Sequence, residues 1–255
     1  MGFDISYHPI SKAQMKLWYF ERLHEVENEN YDMIHKLGRE SGVEECFIEK
    51  YIETMKVAIE DKQDIFEKTH IYYLAVVQGF FQKYFYTRGT PISFLIEENP
   101  DIEKYITSWR DIKPDFINCL VTDSLAGNYS GGIYISPKQV KQLLSDLNHN
   151  NYINEIFNKF FATNISVFIN ALKYANEHDL GLIEASEVVE PNPIDLNNSI
   201  CYSNLLNCDI DGALIYRDIA LKQIAEAIKE DANKEEKKGL FRRMFGKISK
   251  NKLFK

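Results

Sequence analysis

The chain has no disulfide framework and no metal-binding cysteine pattern. Its four cysteines, Cys46, Cys119, Cys201 and Cys208, form no CxxC pair and no Cys/His cluster at metal-ligand spacing. Nothing at the N-terminus reads as a signal peptide, so a reduced cytoplasm is the expected compartment. Cys201 and Cys208 could approach each other, but the simpler reading is of small buried hydrophobes. A membrane-spanning run is also missing. The most apolar stretch, Ile71 to Phe85, is interrupted by Gln78, Gly79, Gln82 and Lys83 and falls short of the ~18 residues a span requires.

Recognisable catalytic signatures are equally scarce. The histidines, His8, His24, His35, His70, His149 and His178, are scattered, and none sits in a signature around a serine or cysteine nucleophile. Gly127-Asn128-Tyr129-Ser130-Gly131-Gly132 precedes an apolar run, whereas a phosphate-cradling loop follows a strand and opens a helix, so a tight turn is expected there. Acidic side chains are absent from the last nineteen residues, Lys237 to Lys255, which hold eight Lys or Arg. The remaining residues carry 22 basic against 38 acidic side chains, a formal charge of −16. Such a body repels nucleic acid and suits a basic protein partner.

Apolar residues make up 45% of the chain and aromatic residues 13%, values of a folding globular protein. Its Asn, Lys and Ile bias fits an AT-rich bacterial genome. Ile5 to Ile10 is predicted to be a strand, followed by a capping box at Ser11-Lys12-Ala13-Gln14 with Ile10 and Met15 as staple. The device recurs at Ser136-Pro137-Lys138-Gln139, after a short strand at Gly131 to Ile135 and with Val140 completing the staple. An internal repeat would account for the two units.

Helical spacing marks Ile48, Ile52, Met55 and Ile59; Ile65 to Tyr86 reads as one central helix, apolar all round, and Ile92 to Ile96 as a strand. Ile153 to Ala175 reads as one long amphipathic helix ending near Gly181, then Leu182 to Val189 as a strand. Pro191 to Leu206 is a polar connection long enough to be functional, and a further helix is expected from about Ala213 to Asp231. The expected fold is α+β: a mostly helical body over 1–233 with a few short strands, then a charged hinge at Lys234-Glu235-Glu236 and a basic amphipathic helix in the tail, 234–255.

Two segments suggest specific chemistry. Asn207-Cys208-Asp209-Ile210-Asp211-Gly212 resembles an EF-hand loop, and the twelve-residue count places Leu214 at its apolar position and Asp218 at its last ligand. The resemblance implies Ca2+ or Mg2+ on Asn207, Asp209, Asp211 and Asp218. Asparagine in first place, Ile215 in ninth and a short final carboxylate depart from that pattern, and a plain turn accounts for the same residues. His8, beside Pro9 at a strand end, is the candidate base of an alternative reading in which the protein is a hydrolase using His8 or the Asp209/Asp211 loop.

In the tail, Leu240, Phe241, Met244, Phe245 and Ile248 share one helical face, flanked by Arg242, Arg243 and Lys247. Residues 237–246 resemble the membrane-targeting helix of the bacterial ATPase that positions the division site. That resemblance implies that Leu240, Phe241, Met244, Phe245 and Ile248 enter an anionic membrane surface while the three cations meet lipid phosphates. It carries no ATPase activity, because the body has no Walker motif. The leading expectation is therefore a non-enzymatic protein-binding protein, immunity-like in neutralising a basic protein such as a toxin, held at the inner face of the membrane by its tail.

Overall fold

A computed structural model describes residues 3–61, 64–125 and 130–250, without the side chains of 231–250. Its framework is a five-stranded sheet in the order β3-β4-β1-β2-β7. The strands are β1 (Asp4–Ile10), β2 (Tyr84–Arg88), β3 (Gly131–Ile135), β4 (Gly181–Ser186) and β7 (Cys208–Asp209). A separate hairpin pairs β5 (Val189–Glu190) with β6 (Ile200–Cys201). All sheet neighbours are antiparallel except β2 and β7. The body is helical α+β, as the sequence led us to expect, with helices on both faces of the sheet.

Period-two alternation sorts the strand side chains between those faces. Ile5 and Tyr7 of β1, Phe85 of β2, Ile133 and Ile135 of β3, and Leu182 of β4 join one core with α6 (Ile92–Glu98), α7 (Pro137–His149), α8 (Asn151–Phe161) and α9 (Ile165–Glu177). Ile10, Tyr134, Ile183 and Ala185 join the other, under α1 (Lys12–Met15), α2 (Glu21–Glu27), α3 (Asp32–Glu40), α4 (Glu45–Glu60) and α5 (Tyr72–Phe81). Both predicted capping boxes form, Ser11 with Gln14 and Ser136 with Gln139. Their helices bury Met15 in one core and Val140 in the other. The two strand-to-helix units therefore cover opposite faces and are not structural copies.

Three expectations fail for identifiable reasons. The central helix stops at Phe81: Gln82 is extended (φ −154, ψ 170), and Tyr84-Phe85-Tyr86 enters the sheet beside β1. The alternation of those aromatics places Phe85 in the core under α6 to α9 and turns Tyr84 and Tyr86 to the other face, where they pack with Val189 and Ala213. Ile92 to Ile96 lies in helix α6 rather than a strand, because the carboxylate of Glu184 accepts hydrogen bonds from the first-turn N–H groups of Ile92 and Ser93. The long helix breaks at Ala162 (φ 47) into α8 and α9. In one straight helix Phe161 and Phe168 would be about 10 Å apart along the axis. The break stacks their rings with centroids 4.5 Å apart, and both rings meet Tyr7.

Two π-helical turns, Lys16–Phe20 and Glu67–Ile71, face each other and are joined by a hydrogen bond between the Tyr19 hydroxyl and His70 Nδ1 (3.1 Å). The last element, α10 (Asp211–Lys250), runs unbroken through the expected hinge. Its start is seated on the body through Ala213, Ile215 and Tyr216. Residues 126–129 lie outside those described, so the turn expected at Gly127–Gly132 can be followed only from Ser130 onward.

Candidate interaction face

His8 lies in the middle of the sheet and is fully buried. Its ring stacks on Tyr84 with centroids 4.9 Å apart. Gln78 of α5 uses its amide nitrogen to donate to the carbonyls of Pro9 and Lys83 (3.0 Å each), which turns its oxygen toward the imidazole. His8 Nδ1–H therefore donates to Gln78 Oε1 (2.7 Å), and Nε2 accepts from the Ser6 hydroxyl (2.8 Å). Burial lowers the imidazole to about 4, against which the bond to Gln78 works weakly. With both nitrogens engaged and no path to solvent, His8 is a neutral structural residue in this arrangement. A general base has to reach the proton it removes.

Three of the four residues expected to bind a cation have side-chain partners elsewhere. Asn207 donates its amide to the carbonyls of Gly79 (2.9 Å) and Phe80 (3.3 Å). Asp209 is paired with Lys83 (2.7 Å) and accepts from the Asp211 N–H (3.0 Å). Asp218 is paired with Arg217 (3.2 Å). Among the described residues no three His, Cys, Asp or Glu side chains converge as a cation site would require. Gly212 has a different role: a Cβ there would lie 1.8 Å from the Tyr86 carbonyl oxygen, so glycine lets α10 start against β2.

Sequence reasoning passed over two buried carboxylates. Glu184 of β4 accepts from Ile92 N–H, from Ser93 N–H (3.3 Å) and from the Ser93 hydroxyl (2.7 Å), and burial raises it to about 7. Glu67 accepts from the N–H groups of Thr122 (2.8 Å) and Asp123 and is also raised, chiefly by burial. Each ties a distant loop to the core. The only hint in the sequence was an acid inside an apolar run, as in Gly181-Leu-Ile-Glu-Ala.

The segment from β5 to β7 reverses the usual distribution of polar and apolar side chains. Ser203 points inward, 2% exposed, and donates its hydroxyl to the Val76 carbonyl (2.6 Å). Asn207 satisfies the carbonyls of Gly79 and Phe80 in the last turn of α5, which have no partner within that helix, while Ser203 adds a second bond to a carbonyl one turn earlier. The apolar residues turn outward: Leu206 is 81% exposed and Ile194 74%, and Ile200, Tyr202, Leu205 and Ile210 also face solvent. Beside them is a cavity of about 390 Å³, lined in part by Val189, Leu196, Leu206 and Ala213. Leu205, Leu206 and Ile210 line this cavity together, which gathers part of the exposed apolar surface beside it. The predicted connection Pro191 to Leu206 forms most of this face.

The tail residues Leu240, Phe241, Arg242, Arg243, Met244, Phe245, Lys247 and Ile248 belong to the backbone of α10, but their side chains lie outside the described residues. No described helix is long and apolar enough to cross a membrane. Comparison with known protein families, with curated proteins and with solved structures finds no match to this chain.

Proposed function

We propose that this is a non-enzymatic binding protein that docks a protein partner on the apolar face between Ile194 and Ile210. The observation that carries the reading is the reversal just described. Polar Ser203 and Asn207 are spent on anchoring the segment to α5, leaving Tyr202, Leu205 and Leu206 outside on a firmly held loop. Exposing such side chains sacrifices about 1.5–3 kcal/mol of burial for each, which a partner would recover. The body charge of −16 selects a basic partner, in keeping with an immunity-like role against a basic protein such as a toxin.

The α10 helix leaves the body with Ile219, Leu221, Ile224 and Ile228 partly exposed and leads to the basic amphipathic residues 237–255. In this reading those residues hold the protein at an anionic membrane surface from the cytoplasmic side. A hydrolase built on His8 draws no support from an imidazole sealed between Gln78 and Ser6. A hydrolase built on Asp209 and Asp211 draws none from an Asp209 carboxylate already held by Lys83 and by the Asp211 N–H.

Site-specific photocrosslinking in the host cell tests the reading. A crosslinker in place of Leu206 should capture a discrete protein, whereas one in place of Tyr152, also exposed but on α8, should not. Identical crosslinking patterns from the two positions would overturn it.

A further inference from the structure

A groove runs along α4 from the apolar face just described. Its first part is a cleft of about 650 Å³ walled by Val57, Tyr72, Tyr73, Val76 and Tyr202. Its second is a cleft of about 760 Å³ on the other side of Asp61, walled by Phe20, Leu23, Phe116 and Ile117. Asp61 caps the C-terminal end of α4 and lines both. Tyr202 belongs to the exposed apolar face and to the first cleft, so face and groove are one surface.

The second cleft is chemically distinctive. Glu21, Glu27 and Asp61 line it, and among the described residues no Lys or Arg does. Glu21 is already paired with Arg22 (3.1 Å) and Glu27 with His24 (3.6 Å), whereas Asp61 has no ion-pair partner among the described residues. His70, on the same wall, is held at Nδ1 by the Tyr19 hydroxyl, and burial lowers it to about 4, so it stays neutral; the cation near this wall, Lys113, is occupied by the Ile117 carbonyl. Phe116 lies at the cleft 66% exposed, a large aromatic surface that no intramolecular contact requires to face outward.

We infer that this groove receives an extended segment of the protein partner, placing an arginine against Asp61 and the Phe116 ring in the second cleft and an apolar side chain among Tyr72, Tyr73 and Tyr202 in the first. A guanidinium fits better than an ammonium because it is planar: it pairs with a carboxylate through two parallel N–H donors and stacks on an aromatic face. The charge complementarity is local as well as global, since a carboxylate without an ion-pair partner among the described residues sits where the apolar wall ends. This inference rests on the protein-binding reading above and specifies how the partner is recognised.

Fluorescence anisotropy with the full-length protein tests it. The probe is a fluorescein-labelled octapeptide of alternating leucine and arginine, compared with the same peptide carrying citrulline for arginine. The arginine peptide should bind at least tenfold more tightly than the citrulline peptide. Asp61→Asn and Val57→Glu should each weaken it at least fivefold, while Glu155→Gln, an exposed acid on α8, should leave it unchanged. Equal loss in Asp61→Asn and Glu155→Gln would reveal attraction to the acidic surface at large and overturn the inference. So would failure of the arginine peptide to bind the wild type. If Leu206 nonetheless crosslinks a partner, the function stands and only the groove is refuted.

Discussion

Gly212, at the start of α10, packs its Cα directly against the backbone carbonyl of Tyr86, leaving no room for a side chain. The contact seats the long helix on the edge of the sheet, because β2 is the strand that α10 touches most. Alanine at this position would have to push backbone away from backbone. We expect Gly212→Ala to cost about 2–3 kcal/mol in denaturant unfolding and to expose the 211–218 segment to limited proteolysis. An unchanged midpoint and digestion pattern would show that α10 is not held there.

Gln78 is the hub of the buried network under the sheet, serving His8, Pro9 and Lys83 together. Gln78→Leu keeps the approximate shape and removes this partner from an imidazole N–H and the Lys83 carbonyl, while the Pro9 carbonyl keeps its bond from Gln82 Nε2. A loss of roughly 3 kcal/mol is expected from desolvated polar groups of this kind. The variant should stay monodisperse at lower temperature, which separates destabilisation from collapse of the fold.

The same network sets a pH response. His8 has a folded value of about 4 against 6.5 for a free imidazole, so the unfolded chain takes up the proton first on acidification. Its contribution to stability is complete above pH 6.5 and is lost as pH falls toward 4; His70 acts in the same window and direction. By NMR the His8 ring should show no titration between pH 8 and pH 5. A midpoint near 6.5 would mean that the ring reaches water.

Glu184 works in the opposite sense. Its folded value of about 7 lies above the ordinary 4.5, so the folded protein retains a proton that the unfolded chain has released. That contribution is fully present below pH 4.5 and disappears as pH rises through 7. Measured against Glu184→Gln at each pH, the wild type should lose relative stability by roughly 3 kcal/mol across that range. A difference that does not vary with pH would show that the carboxyl is solvated.

For the tail, co-sedimentation with vesicles rich in anionic lipid should be strong at low salt, weaken as salt screens the cations, and be abolished by Phe241→Glu. Equal sedimentation of wild type and variant would remove the membrane from the proposed function while leaving the binding face intact.

Much of the local structure could be read from the sequence because it is set by neighbours in the chain. The two capping boxes, β1, β3, β4 and the amphipathic stripe of α4 follow from spacing and side-chain chemistry within a few residues. Short apolar runs were ambiguous for the converse reason: Ile92 to Ile96 and Tyr84 to Tyr86 suit either helix or strand. Their choice was made by Glu184, about 90 positions away, and by the free edge of β1.

The candidate site divides in the same way. From the sequence alone come the acidic body, the basic end and the suspicion that Pro191 to Leu206 is more than a connector. Only the tertiary structure could show that Ser203 and Asn207 bond backbone carbonyls of α5 while Leu206 turns outward, and that Asp61 joins two clefts without an ionic partner among the described residues. Composition and periodicity describe what each residue prefers. Which preferences are honoured depends on backbone carbonyls, carboxylates and strand edges supplied by segments far away in the chain, and those meet only once the sheet and its two helical layers have closed.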